Sequence, residues 1–303
     1  MKEIKKYTKV VRYGKSETID VLKQGDIISI TEKIDGANAS FRIDNTNDLG
    51  VSCYSRNNPL DEHNTLGGFY NWVRDNIVPT KQLLNPNYIY FGEWLIKHKV
   101  IYKEECYNNF YLFSIYDIEK EEYLSDEIVI EEARRLNLKT VEYFYYGEFK
   151  NYNKLKELIG KSNMTEIKDT GEGIVVKNVS YRDKFGKQLF IKLVSDKFAE
   201  VQKQKNSKNS TDNEITILVK EVVTKARIEK ILFKLTDENK LKQDYAIEDM
   251  GTILKLLIPI VYEDVMEEES DMFVNYEEDK VKRTISKVVP SITREVLKEQ
   301  NRA

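Results

Sequence analysis

The sequence predicts a two-part chain, in which an α+β domain built on antiparallel sheets precedes an all-helical domain. β-rich runs are scattered over the first two hundred residues with helical segments between them, which is typical of α+β domains. A stretch without any apolar residue follows at 203–214, and the sequence after it has the spacing of amphipathic helices. We therefore expect domains at 1–203 and 215–303, joined by a linker at 204–214.

The strands of the first domain are predicted from β-branched and aromatic runs bounded by turn residues. An Asp-Gly turn joins the first two of them. Helices are predicted at 66–77 and at 125–137, where apolar residues recur at helical spacing. The six predicted strands are 27–33, 37–43, 88–95, 110–118, 173–178 and 188–194.

The second domain contains three long helical patterns, at 215–235, 245–268 and 280–300. Pro259 and Pro290 lie inside two of these patterns. Because proline lacks a backbone N–H and its ring clashes with the preceding turn, we expect each proline to kink or divide its helix.

The composition is typical of a soluble protein with a hydrophobic core. The chain has 303 residues, of which 41% are hydrophobic and 33% charged, and its formal net charge of −3 does not indicate a nucleic-acid binder in bulk. No apolar run approaches the ~20 residues of a membrane span, and the N-terminal segment lacks the apolar stretch of a secretion signal. Cys53 and Cys106 provide neither a disulfide framework nor a zinc motif. We expect a cytoplasmic protein whose phosphate-binding surface is local.

The stretch TEKIDGANAS, residues 31–40, contains a lysine at the end of a predicted strand. A solvated hairpin would explain this stretch, since a KxDG match arises by chance in about one chain in ten of this length. The ordered series of charged and aromatic residues after it is more specific. This series consists of Arg56 in CYSRNN, Glu93 in YFGEWL, Phe113 in FYLFSI, Glu172 and Lys177 in EGIVVK, and Lys192 in FIKLV.

In this order the motifs resemble those of the covalent nucleotidyltransferases, and most closely those of the RNA ligase 2 family of phage-type and RNA-editing ligases. The resemblance covers roughly residues 25–203. It implies an ATP-dependent RNA ligase that joins 3′-OH and 5′-phosphate ends through a lysyl-AMP intermediate and an adenylylated RNA end. The implied cofactors are ATP and Mg²⁺, with Mn²⁺ as a substitute. RNA is the implied partner, and a nicked duplex, an RNA/DNA hybrid, a stem-loop break and single strands all stay open as its form.

By resemblance, Lys33 is the nucleophile that receives AMP. Its amine must be neutral to attack, and with a reference pKa of ~10.4 this costs roughly 4.6 kcal/mol at pH 7. Burial and nearby cations reduce that cost because both disfavour the ammonium form. Lys177 and Lys192, each inside an apolar strand, are expected to supply this charge and to hold phosphate oxygens.

The resemblance assigns further residues to the nucleotide. Glu93 is expected at a ribose hydroxyl, Phe113 on the adenine, and Ile174 and Val175 beside the nucleoside, while Glu32 and Arg56 complete the nucleotide-binding set. A salt bridge for Glu93 and core packing for Phe113 or Ile174 are the alternatives. Three neighbouring aromatic residues compete with Phe113 for the adenine position: Phe110, Tyr111 and Tyr116.

The expected metal ligands are Asp35 and Glu172, because Mg²⁺ prefers oxygen donors and often keeps its waters. Asp35 has the alternative of simply forming the turn. Asn38 and Arg56 are the expected contacts to the nucleic acid and the transferred phosphate. The amide cannot change protonation, and the guanidinium offers a bidentate fork.

The sequence departs from the family pattern at Val194, where a second lysine usually follows Lys192 at a distance of two residues. Lys197 is a candidate replacement, although strand alternation would direct it to the face opposite Val194. His63 and His98 have no evident partners, and we interpret both as non-catalytic.

Three other functions are alternatives. The chain could be an ATP-dependent DNA ligase, a capping-type guanylyltransferase or a non-catalytic RNA-binding relative. The first two usually carry a β-barrel domain after the lysine-containing strand, whereas this sequence continues as helices. The presence of Lys33 argues against the third.

Overall fold

The computed structural model describes residues 5–18, 20–201 and 214–300. The chain divides into two compact units, Met1–Ser195 and Asp196–Ala303. Of the predicted linker, residues 204–213 lie outside the described residues. Glu214 begins the first helix of the second unit.

The first unit contains strands and short helices that alternate along the chain. Its strands are β1 (Val10–Arg12), β2 (Ile27–Lys33), β3 (Ala37–Ile43), β4 (Val51–Ser55), β5 (Tyr88–Trp94), β6 (Phe110–Asp117), β7 (Glu122–Tyr123), β8 (Lys139–Thr140), β9 (Tyr143–Glu148), β10 (Gly173–Asn178) and β11 (Phe190–Val194). Its α-helices are α1 (Phe69–Asn76), α2 (Asp126–Arg135) and α3 (Tyr152–Lys156).

These strands form two sheets. The first has the order β1-β11-β10-β2-β9, and the second has the order β4-β3-β5-β6-β7 with β8 beside β6. The pairs are antiparallel, apart from β1 with β11 and β6 with β8. The predicted α+β class with antiparallel sheets is confirmed. Because β2 belongs to the first sheet and β3 to the second, the short turn between them carries the chain from one sheet to the other.

Alternation along β2 directs its side chains to two different faces. Ile28 and Ile30 are buried in a core with apolar residues of β10 and β11. Ser29, Thr31 and Lys33 therefore point to the opposite face of the first sheet. In the second sheet, alternate residues of β3 are buried: Ala37, Ala39 and Phe41. The core that they enter also includes residues of α1 and α2.

The remaining faces of the two sheets, called the inward faces here, meet at an aromatic cluster. Tyr7 lies at its centre, with ring centroids 5.3 Å from Phe91, 4.8 Å from Phe113 and 5.6 Å from Phe190. Phe91 belongs to β5 and Phe190 to β11, so the cluster joins both sheets. Apolar burial of this kind is the main favourable term in sheet packing.

A β-bulge in the second sheet affects the orientation of Phe113. Phe91 pairs with Ser114 and Gly92 pairs with Leu112, which leaves Phe113 as the extra residue on β6. A bulge locally re-aims the side chain that it inserts. Phe113 thereby reaches the aromatic cluster on the inward face.

The second unit is helical, as predicted. Where the sequence suggested one helix at 215–235, two helices are present, because Thr224 caps the second by accepting a hydrogen bond from the Arg227 backbone N–H. The expectation that Pro259 and Pro290 divide their helices is wrong, since each helix continues through its proline. The helices are α4 (Glu214–Val222), α5 (Lys225–Asp237), α6 (Met250–Glu269) and α7 (Glu278–Gln300).

A shared apolar core accounts for the continuity of these two helices. Leu257 and Val261 on α6, and Val289 on α7, are fully buried in the core of the second unit. Packing of an amphipathic face supplies most of the stability of helices in proteins. This burial offsets the lost hydrogen bond at each proline.

A buried arginine connects α5 to α6. The Arg227 side chain is 0% exposed, its Nε donates to the Val222 carbonyl at 2.8 Å, and its guanidinium forms ion pairs with Asp264 and, at 3.5 Å, with Glu269. Lys230 contacts the same acidic group, with its Nζ 3.1 Å from Glu200. This cluster fixes the two helices through charge as well as through apolar contact.

In the part of the chain that the structure describes, the longer helices carry too many charged residues to be candidates for crossing a membrane.

Candidate active site

Lys33 is the last residue of β2, and its side chain projects from the inward face. Its Nζ donates to Glu172 Oε2 at 2.7 Å. Glu172 lies just before β10, whose first residue, Gly173, pairs with Lys33. Gly173 has no room for a side chain, since an added Cβ would be 2.1 Å from the Leu193 carbonyl oxygen. The lysine side chain is 26% exposed, so it is not closed off by the core of the first sheet.

The turn after Lys33 is held by hydrogen bonds to the segment after β5. The Asp35 backbone N–H donates to the Tyr102 hydroxyl at 2.8 Å. Asp35 Oδ2 accepts from the backbone N–H groups of Lys99 and Val100 at 3.0 and 2.9 Å. Its Oδ1 lies 3.5 Å from Nδ1 of the buried His98. The interpretation that His98 lacks a partner is therefore wrong, because its imidazole helps to hold Asp35.

Glu93 closes the other side of the turn. Its Oε1 accepts from the Gly36 N–H at 3.1 Å. A Cβ at Gly36 would be 2.7 Å from the Trp94 carbonyl oxygen, so only glycine allows this approach. Glu93 Oε2 takes no part in this contact with the turn.

The charges around Lys33 shift one another's pKa values. Burial opposes its ammonium form, but the nearby carboxylates, Glu172 first, outweigh burial and raise the pKa of Lys33. Burial raises the pKa of Glu172 despite the opposing charge of Lys33. Burial likewise raises the pKa of Glu93 to about 7. For Asp35, the hydrogen bonds and charge of His98 and its other partners overcome burial and lower the pKa. The ligand-free site therefore holds a charged lysine among competing acids.

Lys192 lies on β11, where it pairs with Val175 and is 7% exposed. Its charge is close enough to lower the pKa of Glu172, in opposition to burial. The structure therefore brings Lys192 into the electrostatic environment of Lys33. Arg12 pairs with Lys192 on the neighbouring strand.

Lys177 has a different environment from the phosphate site that the sequence suggested. Its Nζ is 2.6 Å from Asp126 Oδ1 and 3.4 Å from the Phe113 carbonyl oxygen, and both acid and amine are buried. Lys177 pairs with Ser29 on β2, whereas Gly173 pairs with Lys33. Four residues of extended strand separate the two pairs, which places Lys177 about 13 Å from the level of Lys33. These contacts are those of a residue that positions Phe113.

The apolar residues proposed for the nucleoside separate into two groups. Phe113 and Val175 both contact the aromatic cluster on the inward face, and Phe113 is only partly buried. Ile174 is 0% exposed in the core on the opposite face of β10. Strand alternation thus gives Val175, rather than Ile174, access to a ligand near Lys33.

Glu32 is buried on the face of β2 opposite to Lys33. It is 2% exposed and pairs with Ile174, which belongs to the core on that face. Burial raises the pKa of Glu32 to about 7. The Glu32 side chain is therefore not on the inward face, although its backbone adjoins Lys33.

Asn38 lies on the inward face beside Glu93, with which it pairs across β3 and β5. Its amide forms no hydrogen bond within the described residues and is partly exposed. Arg56 follows β4, whose final residue Ser55 pairs with Ala39. This register brings Arg56 close to the level of Asn38 at one edge of the second sheet.

The oxygen donors near Lys33 fit a hard divalent cation held mainly through water. Glu172 and Glu93 offer carboxylates whose pKa values are raised mainly by burial. Asp35 is already engaged by backbone N–H groups and His98. Among the described residues, the one group of three acids with oxygens close enough to share an ion lies in the second unit instead: Glu200, Asp264 and Glu268. Arg227 and Lys230 form ion pairs with that group and offset part of its charge.

Several residues of the site could not be found from sequence spacing. Asp126, His98 and Tyr102 contact Lys177 or Asp35 from segments remote in sequence. Asp126 stands at the start of a predicted helix, where an acid is also explained by the helix dipole. For His98, the signal in the sequence was its position five residues after Glu93, close to an expected site residue.

Comparison with known proteins agrees with this arrangement of motifs. A family model described as RNA ligase matches residues 26–194, which is more than half of the chain. A search among curated proteins found no significant match.

Two similar solved structures are forms of the Naegleria gruberi RNA ligase. The structure with PPi is 24% identical, with a TM-score of 0.48, and the match covers 63% of this chain and 56% of that chain. A mutant with ATP and Mn is 23% identical, with a TM-score of 0.49 and coverage of 64% and 56%. The match thus spans little more than half the length of the Naegleria protein. On the family match, this chain belongs to the RNA ligase family.

Proposed function

We propose that this protein is an ATP-dependent RNA ligase that joins a 3′-OH end to a 5′-phosphate end. The observation that carries this proposal is the lysine amine of Lys33, held 2.7 Å from Glu172 at the open end of the inward faces. Membership of the RNA ligase family supports it. ATP and Mn are also named for the Naegleria structures.

In the first step, Lys33 Nζ attacks the α-phosphorus of ATP. A P–N bond forms, the bond to the β-phosphate oxygen breaks, pyrophosphate leaves, and the amine gives up its protons to solvent or to a nearby carboxylate. In the second step, an oxygen of the RNA 5′-phosphate displaces Lys33 and takes AMP. In the third, the 3′-OH attacks that 5′-phosphate and releases AMP.

Glu172 controls the first step through its contact with Lys33. While its carboxylate accepts from Nζ, the amine stays protonated and cannot attack. Without this contact, Lys33 would lose its strongest partner, and burial would lower its pKa. Lys192 adds positive charge and disfavours the ammonium form further.

A divalent cation, when bound, neutralises the triphosphate and polarises the phosphorus. Glu172 would hold it directly or through water. Asp35 would contribute only the lone pairs that its backbone partners leave. Glu93 would accept a ribose hydroxyl at Oε2, since Oε1 is occupied by the Gly36 N–H.

The adenine would lie against Phe113, with Val175 on the sheet opposite. Lys177 would support this position through its contacts to the Phe113 carbonyl oxygen and to Asp126. Asn38 and Arg56 would orient the 5′-phosphate and the attacking hydroxyl in the later steps. A sealing assay that compares a nicked duplex, a hybrid and single strands would identify the form of the RNA substrate.

The two units would divide the work. Adenylylation is assigned to the segment 1–203, and the helical segment 215–303 would grip the nucleic acid. Because residues 203–214 carry no apolar side chain, limited proteolysis should cut there first. An N-terminal fragment that seals RNA at the rate of the full chain would contradict this division.

The decisive experiment is intact-mass measurement after incubation with ATP and Mg²⁺. The wild-type chain should gain the mass of AMP, and Lys33→Ala should not. Lys23→Ala, at an exposed lysine of the same unit, is the matched control and should be adenylylated normally. An adduct on Lys33→Ala would contradict the assignment, and labelling by GTP in preference to ATP would favour a capping-type activity.

A further inference from the structure

Arg42 lies on β3, on the inward face of the second sheet. Its neighbour Phe41 is buried in the core on the other face, so strand alternation directs Arg42 inward. Across β4 it pairs with Ser52. It belongs to the same row of alternate residues as Asn38.

This guanidinium is buried without a hydrogen-bonding partner. Arg42 is 7% exposed, and within the described ranges 5–18, 20–201 and 214–300 its Nε and Nη2 have no acceptor. The guanidinium lies against the ring of Tyr54, with 5.6 Å between the guanidinium carbon and the ring centroid. The oxygens of Asp44 accept hydrogen bonds from Thr46 and Ser52, and the charge of Arg42 is a further, smaller cause of the low pKa of this carboxyl.

An arginine in this state is energetically unfavourable. A guanidinium keeps its charge in proteins, so Arg42 cannot relieve burial by losing a proton. A buried charge without a fixed partner loses hydration that nothing replaces, and one cation–π contact offsets only part of that loss. Among the described residues, the charge of Asp44 compensates Arg42 only at a distance, and two donors of the guanidinium have no acceptor.

The two unpaired nitrogens identify the shape of the missing group. Nε and Nη2 form one edge of the guanidinium, the edge that binds two oxygens side by side. Elsewhere in this chain the same edge is filled. Arg135 Nε and Nη2 donate to Glu132 at 2.9 and 2.7 Å, and those of Arg74 donate to Asp75 at 2.7 and 3.1 Å. In Arg42 this bidentate edge has no acceptor among the described residues, although both nitrogens are closed to solvent in this structure.

We propose that Arg42 binds a phosphodiester group of the nucleic-acid substrate, at a position other than the reacting phosphate. This proposal rests on the proposed function. Arg42 lies four residues beyond Asn38 on an extended strand, about 13 Å away, which is too far for one phosphate to contact both. Tyr54 lies beside Arg42, and Arg56 follows Tyr54 by two residues. The Tyr54 ring is itself buried, so this row offers two cations to a nucleic-acid backbone rather than an exposed ring for a base.

The test is binding of a fluorescently labelled nicked RNA duplex, measured by anisotropy in EDTA without ATP, so that no chemistry occurs. Arg42→Met should weaken binding about tenfold and reduce the slope of log affinity against log salt by about one. Arg42→Lys should keep the slope but lose affinity, because a lysine preserves charge without the bidentate edge. Arg74→Met, at an exposed arginine paired with Asp75, is the matched control and should bind as wild type.

Thermal unfolding separates binding from structure. Arg42→Met should melt at or above the temperature of wild type, since it removes an unpaired buried charge. If Arg42→Met binds RNA with unchanged affinity and slope, the proposal is overturned. If Arg42→Met fails to fold, wild-type affinity in Arg42→Lys overturns it. A wild-type chain that binds RNA but forms no AMP adduct would overturn the proposed function while leaving the Arg42 result to stand.

Discussion

Lys33 in the first unit and Arg227 in the second are both basic side chains surrounded by acids. Lys33 is 26% exposed and has one direct acidic partner, Glu172. Arg227 is 0% exposed, and its guanidinium is held by Asp264, Glu269 and a backbone carbonyl. A guanidinium held from several sides and closed to solvent keeps one geometry. An amine with one direct partner and an open side can change partners, which a nucleophile must do.

The number of ion pairs differs in the same sense. Around Lys33, burial raises the pKa values of Glu172 and Glu93 although the charge of Lys33 opposes this shift. Around Arg227, Lys230 adds a second cation, and the two cations face four acids, Glu200, Asp264, Glu268 and Glu269. The second cluster is therefore held by several ion pairs at once, whereas Lys33 has one.

The largest effect is expected from breaking the closed cluster. Arg227→Ala leaves several buried carboxylates without compensation and should lower the free energy of unfolding by about 3–5 kcal/mol. Urea denaturation measures this change. Lys225→Ala, which removes exposed ion pairs with Glu295 and Glu299 on the same helical unit, should cost less than about 1 kcal/mol. Equal effects of the two substitutions would show that the cluster is not structural.

A large loss of activity, with little loss of stability, is expected at the open cluster. Glu172→Gln removes the carboxylate that would hold a cation beside Lys33, so adenylylation should slow by about 100- to 1,000-fold. Single-turnover labelling with ATP gives the rate. Glu166→Gln, at an exposed glutamate nearby in sequence, serves as the control. A wild-type rate in Glu172→Gln would remove Glu172 from the first step.

A smaller and more selective effect is expected at Asn38. Its amide carries no charge, so it cannot alter the protonation of Lys33 by acid–base exchange. Asn38→Ala should leave adenylylation intact and slow sealing of pre-adenylylated RNA by about 5- to 150-fold, the effect of one lost oriented hydrogen bond. The exposed amide Asn87 provides the control substitution. If Asn38→Ala instead fails at adenylylation, its role belongs to the first step.

The smallest effect is the pH dependence of stability at Glu93. Because the pKa of Glu93 is raised to about 7, the folded chain binds a proton there more tightly than the unfolded chain does. Its contribution to stability is thus present below about pH 4.5 and is lost as pH rises through about 7. Glu93→Gln should match wild type at pH 5 and be more stable at pH 8, by about 1–2 kcal/mol after screening. Thermal unfolding at both pH values tests this, and identical melting at pH 8 would contradict it.

Patterns with a strong local cause were predictable from sequence. The bounds of β2 and β3 agree with the predicted 27–33 and 37–43, because alternation and an Asp-Gly turn both determine them locally. β1 and β4 were not predicted, since short strands gain their order from pairing with distant partners. The same reason explains the prolines of the second unit, where core packing outweighed a local preference.

In the site, residue identity was easier to predict than residue contact. The order of motifs located Lys33 and Glu172, but it could not show that Lys177 pairs with Asp126, 51 residues earlier in the chain. Ile174 and Val175 are adjacent in sequence and opposite in space, so a shift of one residue moves the assignment to the other face. Arg42 gave no signal, because an arginine in a strand is unremarkable until its unpaired edge is seen.

The turn between β2 and β3 has a mechanical consequence. It is the short connection that joins one sheet to the other directly after Lys33, and it is fastened by Tyr102, by the backbone of Lys99 and Val100, and by Glu93. When two sheets rotate about a hinge, residues far from the hinge move most and residues beside it move least. If the two sheets open and close around a nucleotide, residues far along β3 such as Arg42 are displaced most, while Lys33, beside the hinge, keeps its position.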